Sequence, residues 1–312
     1  MPSLVQQKTL KGTMEFVGTA LHNGLETSVK ISPSKPDTGY RFRRADIPGA
    51  PEVEACVANI RDTLLATSLG LNGVYIQTVE HLLSALAGSG VDNASIEVLG
   101  DEIPILDGSA APFTRGIEKV GLCEQNIPKR MLRIKESISA ERGDSSAILN
   151  PSDDFSVHFI IEFENTFIGR QELNFQYSPD AYRKDIAFAR TFGFMKDAEY
   201  LMEKGLALGG SMENAVVVGD DGVINPEGLR SPDEFVRHKI LDTIGDLSLL
   251  GIPILGTYSG FKAGHGVNRL LMMEVMNQPE KWDLVCIEET DSDDMVFYPA
   301  HDTDLPSMVS SP

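Results

Sequence analysis

The chain has few cysteines, one tryptophan and no long apolar run. Its three cysteines stand far apart in apolar surroundings, so we expect reduced, buried thiols and no disulfide framework. No stretch approaches the roughly 18 apolar residues of a membrane span, and residues 1–16 lack the apolar core of a signal peptide. These absences argue against a disulfide-stapled secreted domain and against stable membrane insertion. They predict a soluble, cytoplasmic protein.

Basic residues are also scarce. Lys and Arg total 27 against 46 Asp and Glu, for a formal net charge of −19. Because a nucleic-acid partner requires a basic surface, we expect none. Acids concentrate in residues 280–312, and the stretch after about Tyr298 contains Pro and Ser with few apolar residues. We therefore predict a flexible tail over 299–312, in which His301 has no function.

Strand-like and helical patterns alternate along the 312 residues, of which 42% are hydrophobic. This length can bury a substantial core and suggests two domains. Helical patterns occupy 77–88, 179–190, 232–250 and 265–277. The polar stretch 124–129 contains a Pro and is a plausible connection. We predict an α+β fold with domains at 1–125 and 130–298, each a sheet with helices on one face.

The most informative motif is FVRHKILDTIGDL at 235–247. Its apolar residues recur with helical spacing, and His238, Asp242 and Asp246 stand four residues apart, so they share one face of the helix. An imidazole and a carboxylate on successive turns can hold a metal ion, and a second carboxylate can orient another catalytic group. The alternative is a surface helix with polar residues on its exposed face.

Two further clusters favour the metal interpretation. Glu80 and His81 stand at the start of an apolar periodic run within 77–90, and His265 lies in the turn KAGHG at 262–266. These residues come from both halves of the chain. The site is therefore expected between the two domains, which is a usual place for one.

Together these side chains supply the parts of a zinc hydrolase. His81, His238 and Asp242 would be the three protein ligands. They would leave a fourth position open for water. Glu80 cannot easily share ligand duty with its neighbour in sequence, so we expect it to be the general base. His265 could protonate the departing group, and Asp246 could keep that imidazole charged and correctly oriented.

Five motifs stand in an order that is characteristic of one family: TVEHLLSAL (78–86), EIPILDGSAAPF (102–113), ARTFGF (189–194), FVRHKILDTIGDL (235–247) and KAGHGVN (262–268). From about residue 6 to about 290 the chain resembles the UDP-3-O-acyl-N-acetylglucosamine deacetylases, the zinc enzymes that commit precursors to lipid A. The resemblance implies hydrolysis of the acetamide of a UDP-linked acylated amino sugar, with release of acetate, by a zinc-dependent monomer. It also implies two similar α+β domains whose helices are sandwiched between outer sheets.

By position, the resemblance implies the same metal ligands, base and acid. It adds Thr191 as an oxyanion stabiliser and Lys239 as a positive charge for the intermediate or for the substrate phosphates. The implied substrate contacts are Phe192 on the sugar, Lys262 on the diphosphate, Phe163 on the uracil and Leu21 in the loop GTALHNG. Phe163 also alternates like a strand residue, so a purely structural role is its alternative.

Residues 193–225 resemble the insert that forms a hydrophobic passage in this family. A helix-like piece and a β-like piece are joined there by the Gly-rich LALGGS. The residues expected to line the passage are Ala198, Ala207, Met212, Val216 and Val217. The alternative is an ordinary helix and hairpin packed on the core.

Two other functions stay open at this point. Another zinc amidohydrolase or peptidase would use the same metal site but would need neither Lys262 nor an acyl passage. A non-catalytic protein that only binds a nucleotide-linked lipid would have no use for the carboxylate of Glu80.

Overall fold

A computed structural model describes residues 4–164, 167–288 and 296–300. The predicted tail at 299–312, with His301, therefore lies almost wholly outside the described residues. Within them the strands are, in chain order, β1 (Gln6–Leu10), β2 (Met14–Thr19), β3 (Glu26–Pro33), β4 (Tyr40–Arg44), β5 (Val53–Glu54), β6 (Ile60–Asp62), β7 (Ser68–Leu71), β8 (Val74–Ile76), β9 (Ala94–Leu99), β10 (Leu122–Pro128), β11 (Arg130–Ile134), β12 (Ile138–Arg142), β13 (Ser145–Asn150), β14 (Phe155–Glu162), β15 (Arg170–Gln176), β16 (Phe192–Phe194), β17 (Val216–Val218), β18 (Ile254–Phe261), β19 (Trp282–Glu288) and β20 (Val296–Pro299).

The described helices follow the same chain order. They are α1 (Glu80–Gly88), α2 (Ala111–Val120), α3 (Pro179–Ala181), α4 (Met195–Glu203), α5 (Glu234–Leu247) and α6 (His265–Asn277). Short 3₁₀ turns occupy Val57–Asn59, Ser248–Leu250 and Pro279–Lys281, and a π-helical turn occupies Tyr182–Ile186. None of the helices in the described ranges is long and apolar enough to cross a bilayer.

The amino-terminal half is built on a sheet of order β2-β3-β9-β4-β5. Buried and more exposed residues alternate along β3 and β9, as expected for strands with one face on the core. Helix α2 contacts β2, where the rings of Phe16 and Phe113 meet edge to face at 5.0 Å. The helices α1 and α2 contact each other on this side of the sheet.

The carboxy-terminal half has a larger sheet. Its path runs β12-β13-β18-β11-β19-β20, and β14 joins it by pairing with β18 and with β15. Helix α5 packs on β14 and β15, and α6 packs on β12 and β13. Helices α1 and α5 also pack against each other. The helices of both halves thus lie together between sheets, and the predicted α+β fold is confirmed.

Three details differ from the sequence expectations. The pattern at 179–190 forms only the short α3 and a π-helical turn, in which Ala187 N–H bonds the Tyr182 carbonyl five residues earlier. Most of the stretch 124–129 is no open connection, because β10 pairs antiparallel with β1. The domain boundaries themselves stay a prediction. The expectation of buried thiols is wrong for Cys123, which is exposed, and Cys56 is only half-buried.

Candidate metal-dependent active site

The crossing of α1 and α5 brings the two sequence motifs together. Both helices are buried on almost every side. Ser84 Oγ donates to the Leu241 carbonyl at 2.7 Å, and Gly245 lies directly on the Glu80 backbone, since a Cβ built on this glycine would stand 2.1 Å from the Glu80 carbonyl oxygen. Only a residue without a side chain allows this approach. The first turn of α1 is thereby held against α5.

Two imidazoles and one carboxylate converge at this crossing. Possible ligand atoms of His81, His238 and Asp242 all lie within 4.8 Å of one another, and all three residues are buried. His238 Nε2 and His81 Nε2 stand 3.3 and 3.7 Å from Asp242 Oδ1. The i, i+4 spacing of α5 and the start of α1 therefore form one cluster, as the sequence predicts.

The hydrogen bonds of this cluster leave room for a cation. His238 Nδ1 must carry the ring proton, because it bonds the Ala189 carbonyl at 3.0 Å and a carbonyl oxygen can only accept. Burial lowers the pKa of His238 to about 3, so the ring is neutral and its Nε2 presents a lone pair. Asp242 Oδ1 and His81 Nδ1 are buried and have no hydrogen-bond partner among the described residues. The donor set therefore fits a divalent metal ion.

Lys239 completes the surroundings of Asp242. Its Nζ donates to Oδ2 of that carboxylate at 2.7 Å and lies 5.5 Å from the ring centroid of Phe192. Burial alone would raise the pKa of Asp242, but His238 and Lys239 hold it well below its ordinary value. The carboxylate is consequently ionised and has one oxygen free for a ligand.

Glu80 lies beside the cluster as a buried carboxylate. Its Oε2 accepts the Thr67 N–H at 3.0 Å, and its Oε1 stands 4.0 Å from His265 Nε2. Burial raises the pKa of Glu80 above its ordinary value despite the opposing charge of His265. A carboxylate whose pKa is raised in this way is a competent general base.

His265 and Asp246 form a hydrogen-bonded pair at the start of α6. The distance from His265 Nδ1 to Asp246 Oδ2 is 2.8 Å; Asp246 is buried, and about 10% of the His265 side chain is exposed. Burial alone would lower the pKa of this imidazole, but the charge and the hydrogen bond of Asp246 raise it to about 10. The ring is thus held as an imidazolium whose Nε2 faces Glu80, a group able to deliver a proton.

The TFGF motif borders the cluster. The N–H of Thr191 donates to the Gly108 carbonyl and fixes the backbone there. The ring centroid of Phe192 lies 6.2 Å from that of His238 and 5.8 Å from that of Phe163. Gly108 has a φ of +82° and touches the chain at Asn214 so closely that a Cβ would clash there. Phe192 therefore lies beside His238, and the chemical roles of Thr191 and Phe192 stay predictions.

Three other residues predicted to belong to the active site line one cavity of about 220 Å³. Phe163, Lys239 and Lys262 line it together with Asp144. Lys262 Nζ pairs with Asp144 at 2.9 Å, so this ammonium would have to exchange partners to reach a phosphate. A larger cavity of about 310 Å³ lies between the halves, but none of the predicted site residues lines it.

The Gly-rich part of the insert docks on the loop that carries Leu21. Gly209 N–H donates to the Leu21 carbonyl at 3.0 Å, and Gly210 lies between the side chains of Leu21 and Ala207. Val216 is fully buried where β17 pairs with β16, whereas Val217 and Ala198 are half-buried. Six large apolar side chains of the insert are exposed: Met195, Tyr200, Met202, Leu208, Met212 and Ile224.

Sequence reasoning missed two residues that hydrogen-bond to Glu80 or Asp246. Thr67 contacts both Glu80 and Asp246, and Asn268 donates to Asp246 Oδ2 at 2.8 Å. Asn268 follows His265 by three residues in α6, so helical spacing could have drawn attention to it. Thr67 lies in an irregular stretch before β7, where no periodicity points to it.

An α+β fold with a buried His₂Asp cluster, a buried carboxylate and a charged His–Asp pair defines a candidate metal-dependent hydrolase. Comparison with known proteins narrows this class. A family profile described as UDP-3-O-acyl N-acetylglycosamine deacetylase matches residues 7–277. The chain belongs to this family.

Named relatives agree with the profile over nearly the whole chain. A UDP-3-O-acyl-N-acetylglucosamine deacetylase of Saccharophagus degradans is 46% identical over 288 residues, which cover 92% of this chain and 95% of the relative. Proteins of the same name from Syntrophus aciditrophicus and Methylococcus capsulatus are 46% and 44% identical, and the matches cover 88% and 95% of those relatives.

Proposed function

We propose that this protein hydrolyses the acetamide of UDP-3-O-acyl-N-acetylglucosamine in a zinc-dependent reaction that releases acetate, the committed step of lipid A biosynthesis. The observation that carries the proposal is the cluster of His81, His238 and Asp242 beside Glu80 and His265, in a chain of this family. We also propose that the protein acts as a cytoplasmic monomer, and light scattering of the purified protein tests the oligomeric state.

We propose zinc as the metal at this site. Two imidazoles and one carboxylate are typical of catalytic zinc sites with an open position. When bound, the ion would polarise the amide carbonyl and acidify a water molecule. The hydrogen bond from His238 to Ala189 orients the imidazole, and that from Lys239 to Asp242 orients the carboxylate.

Glu80 accepts the proton of the attacking water. Its Oε2 is occupied by the Thr67 N–H, which leaves Oε1 directed toward His265 and the open side of the cluster. Burial favours the protonated form of this carboxyl group, so it is a stronger base than an exposed glutamate.

His265 donates a proton to the departing sugar amine. The charge of Asp246 keeps the ring protonated near neutral pH, and the Nδ1 hydrogen bond leaves Nε2 as the atom that gives up the proton. Glu80 and His265 therefore divide the proton transfers of amide cleavage between a base and an acid held 4.0 Å apart.

Charge on the former carbonyl oxygen needs a further donor. We assign this role to the hydroxyl of Thr191 and to the ammonium of Lys239, which borders the metal cluster through Asp242. Phe192 would pack on the sugar, and the cavity that contains Phe163 and Lys262 would take the uracil and the diphosphate.

The acyl chain requires an apolar surface. The exposed side chains of the insert, with Leu21 and Ala207 on either side of Gly210, offer such a surface. Large apolar groups that cluster on a surface commonly mark a binding site. We propose that Ala207, Met212 and Val217 contact the acyl chain; Val216 would support them from the core.

A deacetylase assay with Glu80→Gln tests the function. The wild-type protein should deacetylate acylated UDP-N-acetylglucosamine far faster than the unacylated sugar nucleotide, and excess UDP should compete. Glu80→Gln should retain its metal and lose on the order of 10²- to 10⁴-fold in turnover, because the base is removed without a change of shape. Glu15→Gln, at an exposed position of β2, is the matched control.

Two results would contradict the proposal. Near-normal turnover by fully metallated Glu80→Gln would exclude this carboxylate as the base. Equal rates for acylated and unacylated substrate, with no competition by UDP, would instead favour a different metal-dependent amidohydrolase.

A further inference from the structure

Thr67 occupies a singular position between the two proton-transfer groups. It is buried, with 1% of its surface exposed, in the irregular stretch before β7. Its N–H donates to Glu80 Oε2 at 3.0 Å, and its hydroxyl donates to Asp246 Oδ1 at 2.7 Å. Its carbonyl accepts the N–H of Val79, the residue before Glu80, at 3.1 Å. One residue thus contacts both groups.

The contacts of Asp246 show what the hydroxyl of Thr67 adds. Asp246 Oδ2 already accepts His265 Nδ1 and Asn268 Nδ2, each at 2.8 Å, and Asn268 is itself fixed by the Tyr258 hydroxyl at 2.7 Å. Oδ1 accepts the hydroxyl of Thr67 at 2.7 Å. Removal of that hydroxyl would leave a buried carboxylate oxygen without its donor, a costly state that reorientation of the carboxylate would relieve.

From this geometry we propose that Thr67 is a positioning residue that fixes the general base and the general acid relative to each other through its two hydrogen bonds. The inference rests on the proposed function for the identity of base and acid. Since His265 takes its orientation from Asp246, any rotation of that carboxylate moves His265 Nε2 away from the 4.0 Å approach to Glu80. Thr67 acts without touching substrate or metal.

A hydroxyl role and a packing role predict opposite results for two substitutions. Thr67→Val keeps the branched shape and removes the donor, whereas Thr67→Ser keeps the donor and removes a methyl group. If Thr67 positions the two groups, valine is the damaging change. If Thr67 only fills space, serine is. Thr67→Ala, which removes both features, serves where the valine protein fails to fold.

The matched control is Thr114→Val. Thr114 is also buried, and its hydroxyl donates to the Ala110 carbonyl within α2. This substitution removes a buried threonine hydroxyl without touching Glu80, Asp246 or His265. Its effects therefore measure the general consequence of such a loss.

Two measurements test the proposal. With metal bound, Thr67→Val should lower kcat by roughly 10- to 100-fold at unchanged metal content and nearly unchanged KM, and Thr67→Ser should restore most of that loss. In metal-free full-length protein, the His265 Nδ1–H proton resonance should shift or broaden in Thr67→Val and not in Thr67→Ser or Thr114→Val.

Wild-type kcat and an unshifted Nδ1–H resonance in both Thr67→Val and Thr67→Ala would overturn the proposal, as would a larger loss in Thr67→Ser than in Thr67→Val. The resonance does not depend on turnover. An absence of deacetylase activity in the wild-type protein would thus refute the proposed function, while the resonance would still decide whether Thr67 orients the His265–Asp246 pair.

Discussion

Gly245→Ala is the smallest change that should pull the two halves of the site apart. The added Cβ would lie 2.1 Å from the Glu80 carbonyl oxygen and 2.9 Å from the Glu80 carbonyl carbon. Contacts of a Cβ below 3.0 Å essentially do not occur, and the atom that must move is backbone rather than the end of a flexible side chain. Helix α1 must therefore move away from α5.

The required movement is large on the scale of the site. Relief of the clash from 2.1 to 3.0 Å needs about 0.9 Å of displacement. Metal–ligand distances tolerate roughly 0.2 Å, and a misplacement of about 1 Å can cost 10²-fold in rate. Because Glu80 and His81 move with α1 while His238 and Asp242 stay on α5, we expect weaker metal binding and a turnover lower by about 100-fold.

Stability should respond differently from activity. Alanine is a better helix former than glycine by about 1 kcal/mol, which offsets part of an overpacking cost of roughly 1–3 kcal/mol. The protein should therefore fold with a modestly lower Tm. Metal affinity by chelator competition, turnover and thermal unfolding are the measurements. Gly12→Ala is the control, since its Cβ would meet only Val120 at 4.0 Å. Wild-type metal affinity and turnover in Gly245→Ala would refute the argument.

Three further predictions concern the metal, the pH dependence and the acyl chain. Asp242→Ala should lose most of the bound metal in elemental analysis, and undiminished content would remove this residue from the ligand set. In metal-free protein the pKa of His265 is raised to about 10. Its ion pair with Asp246 therefore stabilises the fold fully below about pH 6.5, and this stabilisation is lost as the pH rises through about 10. The free energy of unfolding should accordingly fall toward pH 10, less steeply in His265→Gln, and identical slopes would contradict the pairing. Ala207→Trp should shorten the preferred acyl chain with metal content intact, because each buried methylene contributes about 0.8 kcal/mol; unchanged kcat/KM for every chain length would place the acyl group elsewhere.

Local spacing accounts for the part of the site that could be predicted from the sequence. His238 and Asp242 share a helix face because they are four residues apart, and this geometry needs no tertiary information. The α+β class follows from alternating strand and helix patterns in the same way. The prediction of a helix at 179–190 failed for the complementary reason. The apolar pattern there is helical, but the segment forms only a short helix and a π-helical turn, and the Ala189 carbonyl accepts a hydrogen bond from His238.

Contacts between distant segments account for what could not be predicted. Thr67 meets Asp246 only because α1 crosses α5 at Gly245, and nothing in the composition around Thr67 marks it. The polar stretch 124–129 resembles an open connection, yet most of it pairs with β1. The partner strand lies more than a hundred residues earlier, so the local sequence does not indicate the pairing. Such pairings belong to the tertiary structure, so a single sequence read by local pattern does not reveal them.

The chemical roles of the two histidines show the same limit most clearly. His238 and His265 are one residue type, and both side chains are largely shielded from solvent, but the pKa is lowered to about 3 in the first and raised to about 10 in the second. The difference arises from partners: burial dominates at His238, whose Nδ1 meets a neutral carbonyl, whereas the Nδ1 of His265 meets the Asp246 carboxylate at 2.8 Å. A neutral imidazole suits a metal ligand and a charged one suits a proton donor. The division of labour between ligand and acid is therefore set by which acceptor each ring nitrogen reaches, and this is decided by the fold.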